Sequence, residues 1–85
     1  ETIAKESQKI AVFLEKKKFN KFYTVVRGID EKEIDLKDLA KTLKSTLACG
    51  GTIKNGQIEL QGDHRGRVKE ILLRYGFLPS AIEVK

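Results

Sequence analysis

The chain has 85 residues, 40% hydrophobic and 34% charged, with one Cys, one His, one Pro and neither Met nor Trp. That length holds one domain, since half of it could not bury a core of its own, and the composition is that of a compact globular protein rather than a disordered or fibrous one. No run nears the ~18 apolar residues of a membrane span, the start shows no charged-then-apolar leader, and one Cys makes no internal disulfide, so a cytoplasmic protein without membrane contact is expected.

The net charge is +5, and its location says more than its sum. Lys16, Lys17, Lys18, Lys21 and Arg27 fall in a stretch that contains no acid. Residues 30–47 are nearly balanced, and a smaller basic excess follows around Arg65 and Arg67. A compact basic site is the electrostatic footprint of a polyanion.

In chain order, residues 1–7 are polar and aperiodic and read as a flexible lead-in to a domain at 8–85. Ile10, Val12 and Leu14 then alternate with Ala11, Phe13 and Glu15, the period of a strand. Lys16 to Lys21 form a polar loop before a second β-rich run, Phe22 to Val26, so the two make a hairpin with lysines at its tip, and Gly28 ends or bulges the second strand. Asp35 is a helix N-cap with Asp38 as a weak capping-box partner. Leu36, Leu39, Ala40, Leu43 and Leu47 recur at helical spacing up to Gly50-Gly51, which stops the helix. Lys37, Lys41 and Lys44 form its solvated stripe.

Asn55-Gly56 between Thr52-Ile53-Lys54 and Gln57-Ile58-Glu59-Leu60 signals a two-residue hairpin with both turn residues at positive φ, pairing Ile53 with Ile58. Asp63 caps a second helix carrying Val68, Ile71, Leu72 and Tyr75; Gly76 ends it and Phe77 closes back on its last turn. Pro79 precedes a last strand, Ala81 to Val84. The order β-β-α-β-β-α-β predicts an α+β two-layer sandwich, with a mostly antiparallel sheet and both helices packed on one face.

Little in the chain points to catalysis. His64 reads as structural or capping. Cys49, at a helix C-terminus where the dipole disfavours a thiolate, reads as a small buried apolar residue. One His and one Cys make no zinc site, and Gly50-Gly51-Thr52 lacks the residues of a phosphate loop. No enzyme activity, metal or cofactor is expected. Asp63 at the cap would compete for the amides that could otherwise hold a phosphate, leaving Arg65 and Arg67 free to reach outward. The three consecutive lysines repel one another and are expected to contribute nothing to folding; Phe19 among them could stack on an unpaired base or rest on the sheet.

Leu47-Ala48-Cys49-Gly50-Gly51-Thr52, Ile58-Glu59-Leu60-Gln61-Gly62-Asp63-His64-Arg65 and Leu72-Leu73-Arg74-Tyr75-Gly76-Phe77, in that order and after Thr24-Val25-Val26-Arg27-Gly28-Ile29, resemble the SUI-type translation initiation factor 1 family. The likeness covers about residues 9–85, and the short Asn55-Gly56 turn resembles the archaeal members. The resemblance implies a monomeric, non-enzymatic factor that binds the small ribosomal subunit near the peptidyl-tRNA site and promotes accurate start-codon selection and initiator tRNA and messenger RNA binding, alongside other initiation factors. It implies ribosomal RNA contacts through Lys16, Lys17, Lys18, Asn20, Lys21 and Arg27, an initiator-tRNA-facing hairpin at Lys54, Asn55 and Gly56, and a role in fidelity or secondary RNA contacts for Asp63, Arg65 and Arg67. Phe19-Asn20-Lys21 departs from the Asn-Gly-Arg type of turn common in the family's first loop. From charge alone, a general single-stranded RNA-binding protein or a protein-interaction adaptor fits equally.

Overall fold

A computed structural model describes residues 9–32 and 34–85; the lead-in expected at 1–7 lies outside them. The elements are β1 (Ile10–Lys17), β2 (Lys21–Arg27), α1 (Leu36–Leu47), β3 (Gly51–Lys54), β4 (Gln57–Gln61), α2 (Arg65–Tyr75) and β5 (Ile82–Val84), with short 3-10 turns at Lys18–Asn20 and Pro79–Ala81. The sheet runs β3-β4-β2-β1-β5, all antiparallel except β1 with β5. This is the α+β, two-layer order expected.

Alternation decides which face each strand buries. Ile10 and Val12 of β1, Val26 of β2, Ile58 and Leu60 of β4 and Ile82 of β5 meet Leu39, Leu43 and Leu47 of α1 and Val68, Ile71 and Leu72 of α2 in one core. Each such side chain contributes about 1.5–3 kcal/mol when fully buried. Asp35 caps α1 by accepting from the amides of Lys37 and Asp38. Gly76, left-handed at φ 118°, ends α2 while the Phe77 amide donates to the Leu72 carbonyl. The Asn55–Gly56 turn has φ 52° and 75° and pairs Ile53 with Ile58, as its sequence predicts.

Four expectations need correction. Ala48, at φ 53°, takes the left-handed position that ends α1, not Gly50 or Gly51. Gly51 instead serves the sheet, because a Cβ there would lie 2.6 Å from the Glu59 carbonyl oxygen and only glycine lets β3 approach β4. Asp63 is not the N-cap of α2; His64 occupies that position, and the bond Asp63 accepts from a backbone amide, that of Arg65, is long (3.4 Å). The first hairpin's strands are longer than expected, running through Lys17 and from Lys21, so the loop shrinks to Lys18, Phe19 and Asn20. Cys49 is half-buried rather than buried, packed beside the core.

Candidate nucleic-acid interface

Register sorts the candidate residues onto opposite ends of the sheet. Because β4 runs antiparallel to β2, Gln61 lies opposite Tyr23 and Ile58 opposite Val26. The Gln61–Arg65 segment therefore sits beside the tip of the first hairpin, while the Asn55–Gly56 turn lies at the far end with Arg27. Six residues of strand, about 20 Å, separate Arg27 from Lys21, so Arg27 does not belong to the lysine cluster. Lys54, exposed, shares its end.

At the tip, Lys16, Lys18, Lys21 and Asn20 are exposed. Phe19 and Asn20 both adopt left-handed backbone, at φ 63° and 58°. Asparagine tolerates this; for a bulky L-residue the conformation costs about 1–2 kcal/mol. Phe19 is 89% exposed, so it does not rest on the sheet.

Lys17 differs from its neighbours. It points to the helix-free face of the sheet, where its ammonium donates to Glu59 Oε1 at 2.9 Å and lies 5.3 Å from the centre of the Tyr23 ring. Gln57 Nε2 donates to the other Glu59 oxygen at 3.2 Å. Glu59 is only 5% exposed, and an unpaired carboxylate there would be costly. The Lys17 hydrogen bond holds the Glu59 carboxyl below its ordinary value of 4.5 against the opposing effect of burial, and the same bond raises Lys17 above 10.5. Lys17 thus contributes to the fold, contrary to the expectation for the lysine run, and three lysines remain for a polyanion.

The Gln61–Arg65 loop is fastened to β2 through Thr24, which is fully buried. Its hydroxyl donates to the Gly62 carbonyl at 2.6 Å and accepts from the His64 amide at 2.8 Å. His64 Nε2 lies 2.8 Å from the Gln61 carbonyl, which only accepts, so Nε2 carries the proton. The ring thus ties His64 back to the end of β4, and its side chain makes no cap bond to α2. Arg65 is not free: Nε and Nη2 donate to the two oxygens of Asp63, each at 2.9 Å, and Nη1 donates to the Lys85 carbonyl at 3.0 Å. The Arg65 hydrogen bonds keep the Asp63 carboxyl below its ordinary range. Arg67 is exposed.

Phe22, Thr24 and Glu59 escaped sequence reading. Phe22 reads as an ordinary strand residue, yet it is 45% exposed. Glu59 meets a lysine 42 positions away, a pairing without local signal.

A depression of about 640 Å³ lies away from the lysines between Ile53 and the start of α1, with Glu31, Lys32, Asp35 and Lys37 on its walls. Its charges cancel and it holds no reactive pair. Among the described residues no three His, Cys, Asp or Glu side chains gather as metal ligands, and no helix is long and apolar enough to cross a membrane. Burial raises the Cys49 thiol above 9.0, partly countered by Lys44.

The family profile described as Translation initiation factor SUI1 matches residues 6–78. A protein from Thermococcus kodakarensis named "Protein translation factor SUI1 homolog" is 57% identical over 83 residues, 98% of this chain and 85% of its own length. Proteins of the same name from Pyrococcus furiosus and Methanosphaera stadtmanae are 54% and 55% identical, covering 98% and 100% of this chain and 85% and 84% of theirs.

Proposed function

The chain belongs to the translation initiation factor SUI1 family, a family of translation factors rather than enzymes, and from that premise we propose that it binds the small ribosomal subunit beside the peptidyl-tRNA site and promotes accurate start-codon selection. The observation that carries the reading is the exposed first hairpin, where Lys16, Lys18, Asn20 and Lys21 stand at one end of a molecule about 41 Å long. Lysines there meet ribosomal RNA phosphates, with Lys17 braced behind them by Glu59. The opposite end presents Lys54, Asn55 and Gly56 toward the initiator tRNA and messenger RNA, with Arg27 nearby as a secondary RNA contact.

Asp63 and Arg65 largely neutralise one another, so their role in fidelity is to hold the Gln61–Arg65 loop in place, while Arg67 offers an outward charge. No cofactor takes part. The factor works by occupancy, as a cytoplasmic protein that is monomeric when free and acts beside other initiation factors. It favours the subunit state that samples codons, and correct pairing favours its departure, a population shift by differential affinity.

Co-sedimentation with purified small subunits, with and without initiator tRNA, tests this reading. The parent should pellet with subunits, and the combined Lys16→Ala, Lys18→Ala and Lys21→Ala variant should pellet less and relax discrimination between AUG and near-cognate starts in a reconstituted assay. A general RNA binder would instead lose affinity for every RNA equally and leave start selection unchanged. A variant that binds and discriminates like the parent would refute the assignment.

A further inference from the structure

We propose that the end of the first hairpin is a base-stacking site, in which Phe19 and Phe22 receive the faces of unpaired RNA nucleotides while Lys16, Lys18 and Lys21 hold the intervening phosphates. This rests on the reading of the hairpin as an RNA contact and adds which nucleotides it takes.

The first support is misplaced apolar surface. Among the described residues the exposed large apolar side chains are Phe19, Phe22, Leu78 and Val84, and the two aromatic ones lie three residues apart on the most basic hairpin. The fold can bury a phenylalanine, since Phe77 is 2% exposed and stacks on Tyr75 at 6.1 Å. Phe19 instead stands 89% exposed, in a left-handed backbone that bulky residues avoid.

The second support is shape. Phe22 borders a cavity of about 240 Å³ with Lys21, Tyr23, Gln61 and Gly62, where β4 turns away from β2. That is several times the ~30 Å³ share of a water molecule. Gln61, which also lines it, is exposed. Phe19 and Phe22 are at most about 10 Å apart along the chain, close enough to serve one short unpaired segment.

The third support is chemistry. Lysines alone hold phosphates of any RNA and need no aromatic neighbour. An aromatic face is useful only against a base whose own face is free, which a duplex does not offer. The arrangement therefore selects loops, bulges or single strands.

Stacking and phosphate contacts separate by their salt dependence. Fluorescence anisotropy of the full chain would use a labelled mixed-sequence ten-nucleotide RNA, single-stranded and as the matching duplex. Phe19→Leu and Phe22→Leu should each weaken single-strand binding by about five- to hundredfold, leave duplex binding unchanged and leave the slope of log affinity against log salt unchanged. Phe19→Tyr should bind like the parent. Phe19→Leu decides the matter even if Phe22→Leu perturbs the fold, because Phe19 packs on nothing that leucine would disturb.

Leucine variants that bind single strands like the parent, or lose duplex binding equally, would overturn the proposal; so would a Phe19→Tyr variant as weak as Phe19→Leu, or an adaptor-type gain for aliphatic surface in which leucine binds better. On vacant small subunits, a leucine defect assigns the bases to ribosomal RNA, whereas a defect seen only after messenger RNA is added assigns them to the messenger. If the triple lysine variant loses subunit binding while the leucine variants do not, stacking fails and the ribosomal reading stands. If the triple lysine variant binds subunits like the parent, the ribosomal reading itself falls.

Discussion

The two hairpins solve the same backbone problem with opposite chemistry. The second closes β3 and β4 with Asn55–Gly56, residues that accept positive φ at little cost, and its turn is polar and tight. The first closes β1 and β2 with Phe19 and Asn20 at nearly the same φ, and puts an exposed aromatic where glycine would be comfortable. A turn selected only for stability would look like the second. The difference marks the first as the place where sequence serves something other than folding.

Glycine should consequently act with opposite signs in the two turns. Gly56→Val places a β-branched residue at φ 75° and should destabilise the domain by about 2 kcal/mol, a fall in Tm of roughly 10 °C for a chain of this size; chemical denaturation measures it. An unchanged midpoint would show that the second turn is as permissive as the first.

Glu59→Gln sharpens the contrast from beneath the first hairpin. The Glu59 carboxyl is lowered, so its contribution is present above the ordinary 4.5 and is lost as pH falls through its depressed value. Lys17 is raised, so its contribution is present below 10.5 and is lost as pH rises through its elevated value. Between those limits the parent should hold a stability plateau, and the variant should melt a few degrees lower within it. Releasing Lys17 should also add a fourth free cation at the tip, steepening the salt slope for single-stranded RNA from about −2 to about −3. A variant that melts lower without any steepening would show that freed Lys17 stays on the sheet.

Phe19→Gly is the converse of Gly56→Val. Relief of the left-handed strain offsets glycine's own entropic cost, so stability should stay level or rise by up to about 1 kcal/mol while RNA affinity falls. A clear loss of stability would mean that Phe19 serves the fold.

The smallest effect belongs to a control remote from both turns. Tyr75 donates to Asp38 at 2.7 Å, a bond that joins α2 to α1 and pushes the phenol up to about 12 from its ordinary 10.0. Its contribution is present below about pH 10 and lost as pH rises toward about 12. Absorbance titration of Tyr75→Phe against the parent should remove one late-ionising phenol and leave RNA binding unchanged.

The legible parts of the molecule were those governed by local rules. The leucines of α1 repeat every turn, Asn55-Gly56 admits few backbones, and Gly76 with Phe77 closes a helix in a recognised way. What escaped depended on distance in the chain. Nothing near Lys17 announces Glu59, and nothing near Thr24 announces that its hydroxyl will fasten Gly62 and His64. Asp63 misled for the opposite reason: a good capping residue by type, it was drawn instead to the Arg65 guanidinium two positions on. The candidate site was legible as a lysine cluster, but only the strand register separated Arg27 from it and brought the Gln61–Arg65 loop alongside.

The central claim is that the first hairpin, rather than the basic surface at large, holds the RNA. Salt dependence of binding to vacant small subunits tests it most directly, with the parent compared against Lys54→Ala and against the combined Lys16→Ala, Lys18→Ala and Lys21→Ala variant. Three free lysines predict a contribution of about −2 to the slope, worth roughly fortyfold in affinity between about 1 M and about 0.15 M salt. The triple variant should lose that contribution with its Tm unchanged, while Lys54→Ala keeps it. Equal slopes for the parent and the triple variant, or a loss of the slope in Lys54→Ala alone, would contradict the account.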